Sequence, residues 1–275
     1  MNQHKIDYEK KYKRILEDSY VDPKTDVPHP PIAVSYGYSN GYNPHPIGIG
    51  SYGNFSFVQA PPKSKKTFFL SLIATAYMCG ETEYTKGMKG YRKGQKLIHY
   101  DTEQGRFHAH KVFRRVTDIC GDSDDYFTYA LRQYSPLERL DFIDWHLNNT
   151  DDIGLVIIDG IVDLMLDSND LKESSNVVQY LMKWTQELNI HIITAIHSNW
   201  NSEKPTGHLG SFLEKKAETQ ISLELSEDKN IAVVKCMRSR GFSFDKFAFE
   251  VDSNGLPNIL DSIPDEIDKN KYLKV

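Results

Sequence analysis

The chain has 275 residues, of which 39% are hydrophobic, and this is enough to bury one sizeable α/β core with peripheral arms. A mean hydropathy of −0.52 and the absence of a long apolar run exclude a membrane span, so no membrane partner is expected. The net charge of −5 argues against a protein that coats nucleic acid over its whole surface, but it leaves room for a local basic channel.

In chain order we expect three regions, at residues 1–50, 51–260 and 261–275. The first region begins with an exposed helix in a charged stretch and continues from Val21 to Ser51 as a loop rich in proline, glycine and tyrosine. The second is the core, which is interrupted by a mobile segment from Gly80 to Gln95. The third is a charged tail that is predicted to be disordered.

The most informative stretch of the sequence runs from Gly53 to Phe68, GNFSFVQAPPKSKKTF. It predicts a β-strand, a short kinked loop with a lysine and a threonine at its end, and the first turn of a helix. This layout is typical of the pattern G-x-x-x-x-G-K-[ST], in which loop amides and one lysine hold a triphosphate and the hydroxyl meets magnesium. The alternative is a solvated basic loop. The predicted phosphate-binding residues are Ala60, Pro61, Pro62, Lys63, Ser64, Lys65, Lys66, Thr67 and Phe68.

The match to this pattern is imperfect, because Ala60 and Lys65 stand where the two glycines belong. An alanine at position 60 would cost about 1–2 kcal/mol if that position required a left-handed backbone. The side chain of Lys65 would either lower the affinity for phosphate or add a third cation. Pro61 and Pro62 lack an amide hydrogen, but they fall in the first half of the loop, where donors are least needed.

Strands and helices alternate after this loop, which predicts a parallel sheet with right-handed crossovers. Continuous β-branched runs indicate strands that are buried on both faces. The sequence from Ser135 to Glu138 predicts a capping box with proline at the first helical position. The predicted strands are Lys96–Thr102, Tyr126–Leu131, Leu155–Asp159 and Ile190–His197, followed by an antiparallel hairpin extension between Thr219 and Val251.

Asp159 ends an apolar strand that comes after the loop lysine in the chain. This order is typical of a Walker B strand, whose carboxylate holds magnesium. We therefore predict that Thr67 and Asp159 share a Mg2+ ion, with a simple turn-capping aspartate as the alternative. The next residue is Gly160, so the glutamate that many P-loop ATPases place there as a general base is missing.

The order of these motifs, from about Gly53 to Val251, resembles the RecA-type ATPases, which include the DnaB-like and plasmid RepA-like replicative helicases. The resemblance implies a RecA-like, mostly parallel sheet flanked by helices, with ATP and Mg2+ as cofactors. In these families a glutamate that ends the second core strand polarises the attacking water, and DTEQ at Asp101 to Gln104 matches that place. Glu103 is therefore the expected catalytic base, and Lys66 the expected partner of the β and γ phosphates. Asp101 is the nearest rival, but strand alternation leaves Glu103 at the mouth of the sheet.

The same resemblance suggests roles for residues after the fifth strand. His197 ends that strand where RecA-like proteins carry a polar sensor of the γ-phosphate, although such histidines also cap turns. Trp200 to Ser211 corresponds to the mobile loop that contacts single-stranded DNA in this superfamily, with Lys204 and His208 as the expected contacts. An ordinary flexible loop would have the same composition.

Ring helicases of this type also carry a basic residue that reaches the γ-phosphate of the neighbouring subunit. Such an arginine finger contributes about three to five orders of magnitude in rate. Arg240 is the first choice for this role, with Arg238 and Lys235 behind it. The alternative is a hairpin with solvated charges.

The resemblance thus implies an ATP-hydrolysing motor that forms a homo-oligomer, expected to be a hexameric ring, and moves on single-stranded DNA during replication of a mobile element or phage. Two alternatives stay open: a recombination or regulatory ATPase without unwinding, and a degenerate, non-catalytic nucleotide-binding scaffold. Cys79, Cys120 and Cys236 are scattered without metal spacing, and the amino terminus does not have the pattern of a signal peptide. A reducing, cytoplasmic environment is therefore expected.

Overall fold

The computed structural model describes residues 3–198, 204–227 and 229–264. The chain divides into two compact units, residues 1–30 and residues 31–275. The first unit contains the helix α1, Gln3–Ser19, which confirms the helix predicted near the start of the chain. The aromatic rings of Tyr8 and Tyr12 lie 4.4 Å apart on this helix, and both side chains are exposed.

The second unit is an α/β domain whose strands and helices alternate through most of the chain. Its strands are β1 Ile32–Tyr38, β2 Pro46–Ser51, β3 Phe55–Ala60, β4 Met88–Gly90, β5 Lys96–Asp101, β6 Tyr126–Ala130, β7 Ile153–Asp159, β8 His191–His197, β9 Thr219–Leu225, β10 Ile231–Ser239, β11 Phe247–Val251 and β12 Pro257–Ile259. Its helices are α2 Lys66–Cys79, α3 Arg106–Cys120, α4 Pro136–Asn148, α5 Leu171–Leu188 and α6 Gly207–Lys216, with a 3-10 turn at Ile161–Leu164.

Nine strands form one sheet in the order β12-β11-β10-β9-β3-β8-β7-β5-β6. The six strands from β9 to β6 in this order are parallel, and β10, β11 and β12 pair in antiparallel fashion. The predicted fold class, a mostly parallel sheet flanked by helices with an antiparallel extension, is confirmed. Every residue of β7 is buried, as expected for a strand covered by helices on both faces.

The strand register brings the ends of the central strands to one level. Asp101, at the end of β5, pairs with Asp159 at the end of β7. Ala60, at the end of β3, pairs with His197 at the end of β8. Because the four strands are parallel, these residues meet at the carboxyl edge of the sheet, where open α/β sheets bind their ligands.

Local signals in the sequence account for the start of α4. The hydroxyl oxygen of Ser135 accepts from the amide of Glu138, and the carboxylate of Glu138 accepts from the amide of Ser135. Pro136 occupies the first turn, where its missing amide hydrogen costs nothing. The predicted capping box is confirmed.

The prediction of a loop from Val21 to Ser51 is wrong for its second half. Strands β1 and β2 pair there, and β4 joins them from the segment that was predicted to be mobile, so that a second sheet forms in the order β2-β1-β4. This small sheet packs on the main domain, since the ring of Tyr36 stacks on that of Phe247 at 3.9 Å. These strands were not predicted because the segment is rich in glycine and proline, which are typical of loops.

Two of the cysteines that are scattered along the chain lie together in the structure. Cys79 ends α2, Cys120 ends α3, and the two form a disulfide with their Cα atoms 5.6 Å apart. Cys236 is free. The expectation of a reducing environment was based on cysteines that are far apart in the sequence, and this disulfide removes that basis. The spacing of cysteines along the chain does not show that α2 and α3 end side by side.

Within the three described stretches of chain, no helix is both long enough and apolar enough to cross a lipid bilayer.

Candidate active site

A cleft of about 440 Å³ opens at the carboxyl edge of the main sheet. It is bounded by the loop between β3 and α2, by the residues that follow β5, by the end of β7 and β8, and by one face of α3. The lining residues are Lys63, Ser64, Lys65, Lys66, Thr67, Phe68, Glu103, Gln104, Val112, Arg115, Asp159 and His197. Most of the residues predicted to hold phosphate and metal are therefore brought together in one place.

The backbone of the β3–α2 loop has the bends that glycine normally supplies. Lys63 and Lys65 adopt left-handed conformations, with φ of 64° and 63°. Ala60 does not, because it is the last residue of β3 and its backbone is extended in the sheet. The backbone strain that was expected at Ala60 is therefore found at Lys63 and Lys65 instead. For a residue with a side chain, a left-handed backbone costs about 1–2 kcal/mol.

We expect Lys63→Gly to stabilise the nucleotide-free protein by roughly 1 kcal/mol, because glycine adopts a positive φ without steric cost. Lys63 is exposed, so the substitution removes little packing. Urea denaturation followed by circular dichroism measures the change. Lys63→Ala is the matched control, since it removes the same side chain but keeps the strained backbone. Equal stability of the two variants would contradict the explanation.

Lys65 stands at the N-cap of α2, and its ammonium group donates to the carbonyl oxygen of Asn230, with 2.7 Å between the two atoms. Asn230 lies in the turn between β9 and β10. The side chain that replaces the second glycine thus connects the loop to the antiparallel strands of the sheet.

Lys66 is buried at the base of the cleft. Its Nζ lies 3.2 Å from the carbonyl oxygen of Ala60, 3.3 Å from that of Pro61 and 2.9 Å from Nδ1 of His197. Burial lowers the pKa of Lys66 to about 8, and the nearby carboxylates of Asp159 and Glu103 oppose this effect. The lysine is therefore still mostly cationic at neutral pH, and it is held by weak partners that an anion can replace.

Asp159 is buried opposite the start of α2, and one of its oxygens accepts a hydrogen bond from the hydroxyl of Thr67. Its Oδ2 is buried and has no hydrogen-bond partner among the described residues. Burial raises the pKa of Asp159 to about 7, the hydrogen bond from Thr67 opposes the rise, and the charges of Asp101 and Glu103 add to it. An orphaned carboxylate oxygen beside a hydroxyl fits Mg2+, which prefers oxygen ligands and binds through one or two carboxylates.

Asp101 has a structural part in the site. Its Oδ1 accepts from the amides of Glu103 and Gln104, at 3.1 and 2.7 Å, and so fixes the turn that follows β5. Burial raises the pKa of Asp101 to about 6, and these two amides oppose the rise. The side chain is fully buried, whereas Glu103 is exposed and lines the cleft. The turn thus places Glu103, and not Asp101, at the mouth of the sheet.

His197 ends β8 and lines the cleft next to Lys66. Burial and the charge of Lys66 lower its pKa, so the imidazole is neutral and accepts the hydrogen bond from the lysine. The carbonyl oxygen of His197 accepts hydrogen bonds from the amide and the hydroxyl of Thr206. Because Thr206 is the N-cap residue of α6, these bonds join the end of β8 to the start of that helix.

Arg115 also lines the cleft, and it was not predicted from the sequence. It lies on α3 beside the buried residues Val112 and Val116, and its guanidinium stacks over the ring of Phe68 at 3.7 Å. The only signal in the sequence is an arginine at helical spacing within an apolar face, which alone does not identify a ligand site.

The residues predicted to contact DNA are described in part. Lys204 and His208 are both exposed. His208 belongs to α6 and not to a loop, because that helix begins at Gly207. Trp200 and the other residues of 199–203 lie outside the described residues.

The three basic residues considered for contact with a neighbouring subunit lie away from the cleft of their own chain. Strand β10 continues to Ser239, so Lys235 and Arg238 are strand residues, and Lys235 forms an ion pair with Glu224. Arg240 follows the strand at the amino edge of the parallel sheet, where its amide donates to Glu218 and its guanidinium donates to the carbonyl oxygen of Lys216.

The sheet order and the cleft at its carboxyl edge define a RecA-like P-loop ATPase fold. The sequence matches the AAA domain family AAA_25 over residues 48–203, more than half of the chain, and the protein belongs to that family. Among solved structures, it is similar to the crystal structure of the RadB recombinase, with a TM-score of 0.54 and 17% sequence identity. The match covers 75% of this chain and 91% of that one, and identity at this level supports the fold alone. No curated protein sequence matches the chain significantly.

Proposed function

We propose that the protein binds ATP with Mg2+ in this cleft and hydrolyses it. One observation carries the proposal: a lysine, a hydroxyl, two carboxylates and a histidine from four separate segments surround the same space at the carboxyl edge of the sheet. They are Lys66, Thr67, Glu103, Asp159 and His197. A phosphate-binding scaffold without catalysis would not need an exposed carboxylate at the mouth of the sheet.

Each of these residues has a definite task in the proposed reaction. Lys66 exchanges its carbonyl partners for the phosphates, and its charge offsets theirs. Thr67 and Asp159 would hold Mg2+, which supplies further neutralisation of the phosphate oxygens. Glu103 orients a water molecule toward the γ-phosphorus and accepts its proton as the bond to the leaving ADP oxygen breaks. His197 would act as the sensor of the γ-phosphate, since it comes to lie beside the phosphates when Lys66 turns from it to the nucleotide.

We further propose that hydrolysis drives a helicase or translocase on single-stranded DNA, assembled as a ring of identical subunits. Thr206 lies between Lys204 and His208, and its amide and hydroxyl donate to the carbonyl oxygen of His197, which supports a link between His197 and these two residues. Arg240 at the amino edge of the parallel sheet would serve the active site of the neighbouring subunit. A homo-oligomer, with a hexamer as the expected form, would bring that residue to a second cleft.

ATP turnover with and without single-stranded DNA tests this proposal. We expect DNA to stimulate hydrolysis in the wild type, and Lys66→Ala to weaken ATP binding by about 10-fold to 100-fold, since it removes a charge-assisted contact. Lys93→Ala is the matched control, because Lys93 is exposed and lies outside the cleft.

Other outcomes would assign the protein to a different class. Turnover that is indifferent to DNA would support a regulatory ATPase, and nucleotide binding without turnover would support a scaffold. Electron microscopy of the particles with ATP and DNA distinguishes a ring from the filament that a recombination protein would form.

A further inference from the structure

Arg115 presents an unusual combination of burial and charge. Nη1 of its guanidinium is buried and has no hydrogen-bond partner among the described residues. None of the ion pairs formed within those residues includes it. The side chain as a whole is partly buried, and a buried N–H group without a partner is costly because it has lost its hydrogen bond to water.

The guanidinium also lies against an aromatic ring. Its plane lies over the ring of Phe68, with 3.7 Å between Cζ and the ring centroid, a distance typical of a cation–π contact. Burial lowers the pKa of Arg115 to about 10, and the nearby charge of Asp159 opposes this, so the side chain is cationic at neutral pH. A charged donor with an unused N–H group therefore lines the cleft.

The position of the stack indicates which anion it fits. Phe68 directly follows Thr67 in the first turn of α2, so Arg115 reaches the cleft from the side of the helices. Lys66 instead contacts Ala60 and Pro61 at the end of β3. The two cations thus approach the site from different elements, and a phosphate chain lying along the start of α2 would pass both.

We propose that Arg115 binds the nucleotide from within the same chain, donating to oxygens of the phosphates that ATP and ADP share. This inference rests on the proposed nucleotide site. The planar fork of arginine can bind two phosphate oxygens at once, which lysine cannot do. Arg115 is then a binding residue, and it acts on affinity and not on the hydrolytic step.

Nucleotide binding by purified variants tests the assignment. Arg115→Met keeps an apolar stem over Phe68 and removes the charge, and we expect it to weaken ATP and ADP binding by a similar factor, about 10-fold to 100-fold. We expect kcat at saturating ATP to change less than threefold while KM rises with the Kd. Arg115→Lys keeps the charge and should recover part of the affinity.

Thermal unfolding separates a ligand contact from a structural role. Without nucleotide, Arg115→Met should unfold at a temperature close to that of the wild type, because methionine keeps an apolar contact with Phe68 and removes the buried N–H group that has no partner. With ADP, it should lose most of the increase in unfolding temperature that the wild type shows. Arg114→Ala is the control, since Arg114 is the exposed neighbour that pairs with Asp118, and its ADP response should equal that of the wild type.

Two results would overturn the assignment, and they can be told apart. A wild type that binds ATP, together with an Arg115→Met variant that binds it equally well, would refute the role of Arg115 alone. A wild type that binds neither ATP nor ADP would refute the nucleotide site and Arg115 with it.

Discussion

Glu103→Gln is expected to lower the turnover of ATP by about 100-fold to 10,000-fold while ATP binding stays close to that of the wild type. The amide has almost the shape of the carboxylate, but it cannot accept a proton from the attacking water. Because Glu103 is exposed at the mouth of the cleft, the substitution should leave the fold intact. Phosphate release measures turnover, and equilibrium binding of a non-hydrolysable ATP analogue measures affinity.

Glu187→Gln provides the comparison for this experiment, since it makes the same chemical change at an exposed residue of α5, outside the cleft. Its turnover should match that of the wild type. If Glu103→Gln hydrolysed ATP at the wild-type rate, the base would have to be another group, and Asp101 would be the first to test because it lies at the end of the same strand.

Gly90→Ala is expected to destabilise the protein by roughly 3 kcal/mol, the upper part of the usual range for overpacking. A Cβ atom at Gly90 would overlap the main chain of Ala76 and Tyr77 in α2. Backbone cannot move aside as a flexible side chain can, so either β4 or α2 must shift. Urea denaturation of the nucleotide-free protein measures the loss.

Gly48→Ala is the matched substitution in the same small sheet. The nearest atom to a Cβ at Gly48 is a side-chain carbon of Ile32 at 3.7 Å, which is an ordinary contact. Its free energy of unfolding should stay within about 0.5 kcal/mol of the wild type. Equal losses in the two variants would show that close packing of β4 on α2 does not explain the requirement for glycine.

The central strands could be predicted from the sequence because they are buried on both faces. β7 and β8 are rich in β-branched apolar residues, and each ends at a polar residue, Asp159 or His197. The small sheet has no such signal. β2 carries glycines at positions 48 and 50, and a Cβ at Gly50 would overlap the ring of His191, so small residues are there to allow close packing. In a sequence, the same residues indicate a loop.

In the cleft, too, some residues could be predicted from short sequence motifs, and others depend on how distant parts of the chain pack together. Lys66, Thr67, Asp159 and Glu103 belong to short motifs whose order along the chain predicts that they meet. The left-handed backbone at Lys63 could not be predicted, because the pattern has no glycine at that position, whereas Lys65 occupies one of its two glycine positions. Arg115 depends on how α3 packs beside α2, which no local pattern encodes.

The bond from Lys65 to Asn230 has a mechanical consequence. A glycine at position 65 would remove this side-chain bond between the β3–α2 loop and the turn before β10. The lysine adds a cross-link to the turn that connects β9 and β10, and β10 leads directly to Arg240 at the opposite edge of the sheet. A displacement of the loop that lengthens this bond would act first on the residue before β10, and we expect the irregular pairing between Cys236 and Arg238 to limit how much of it reaches Arg240.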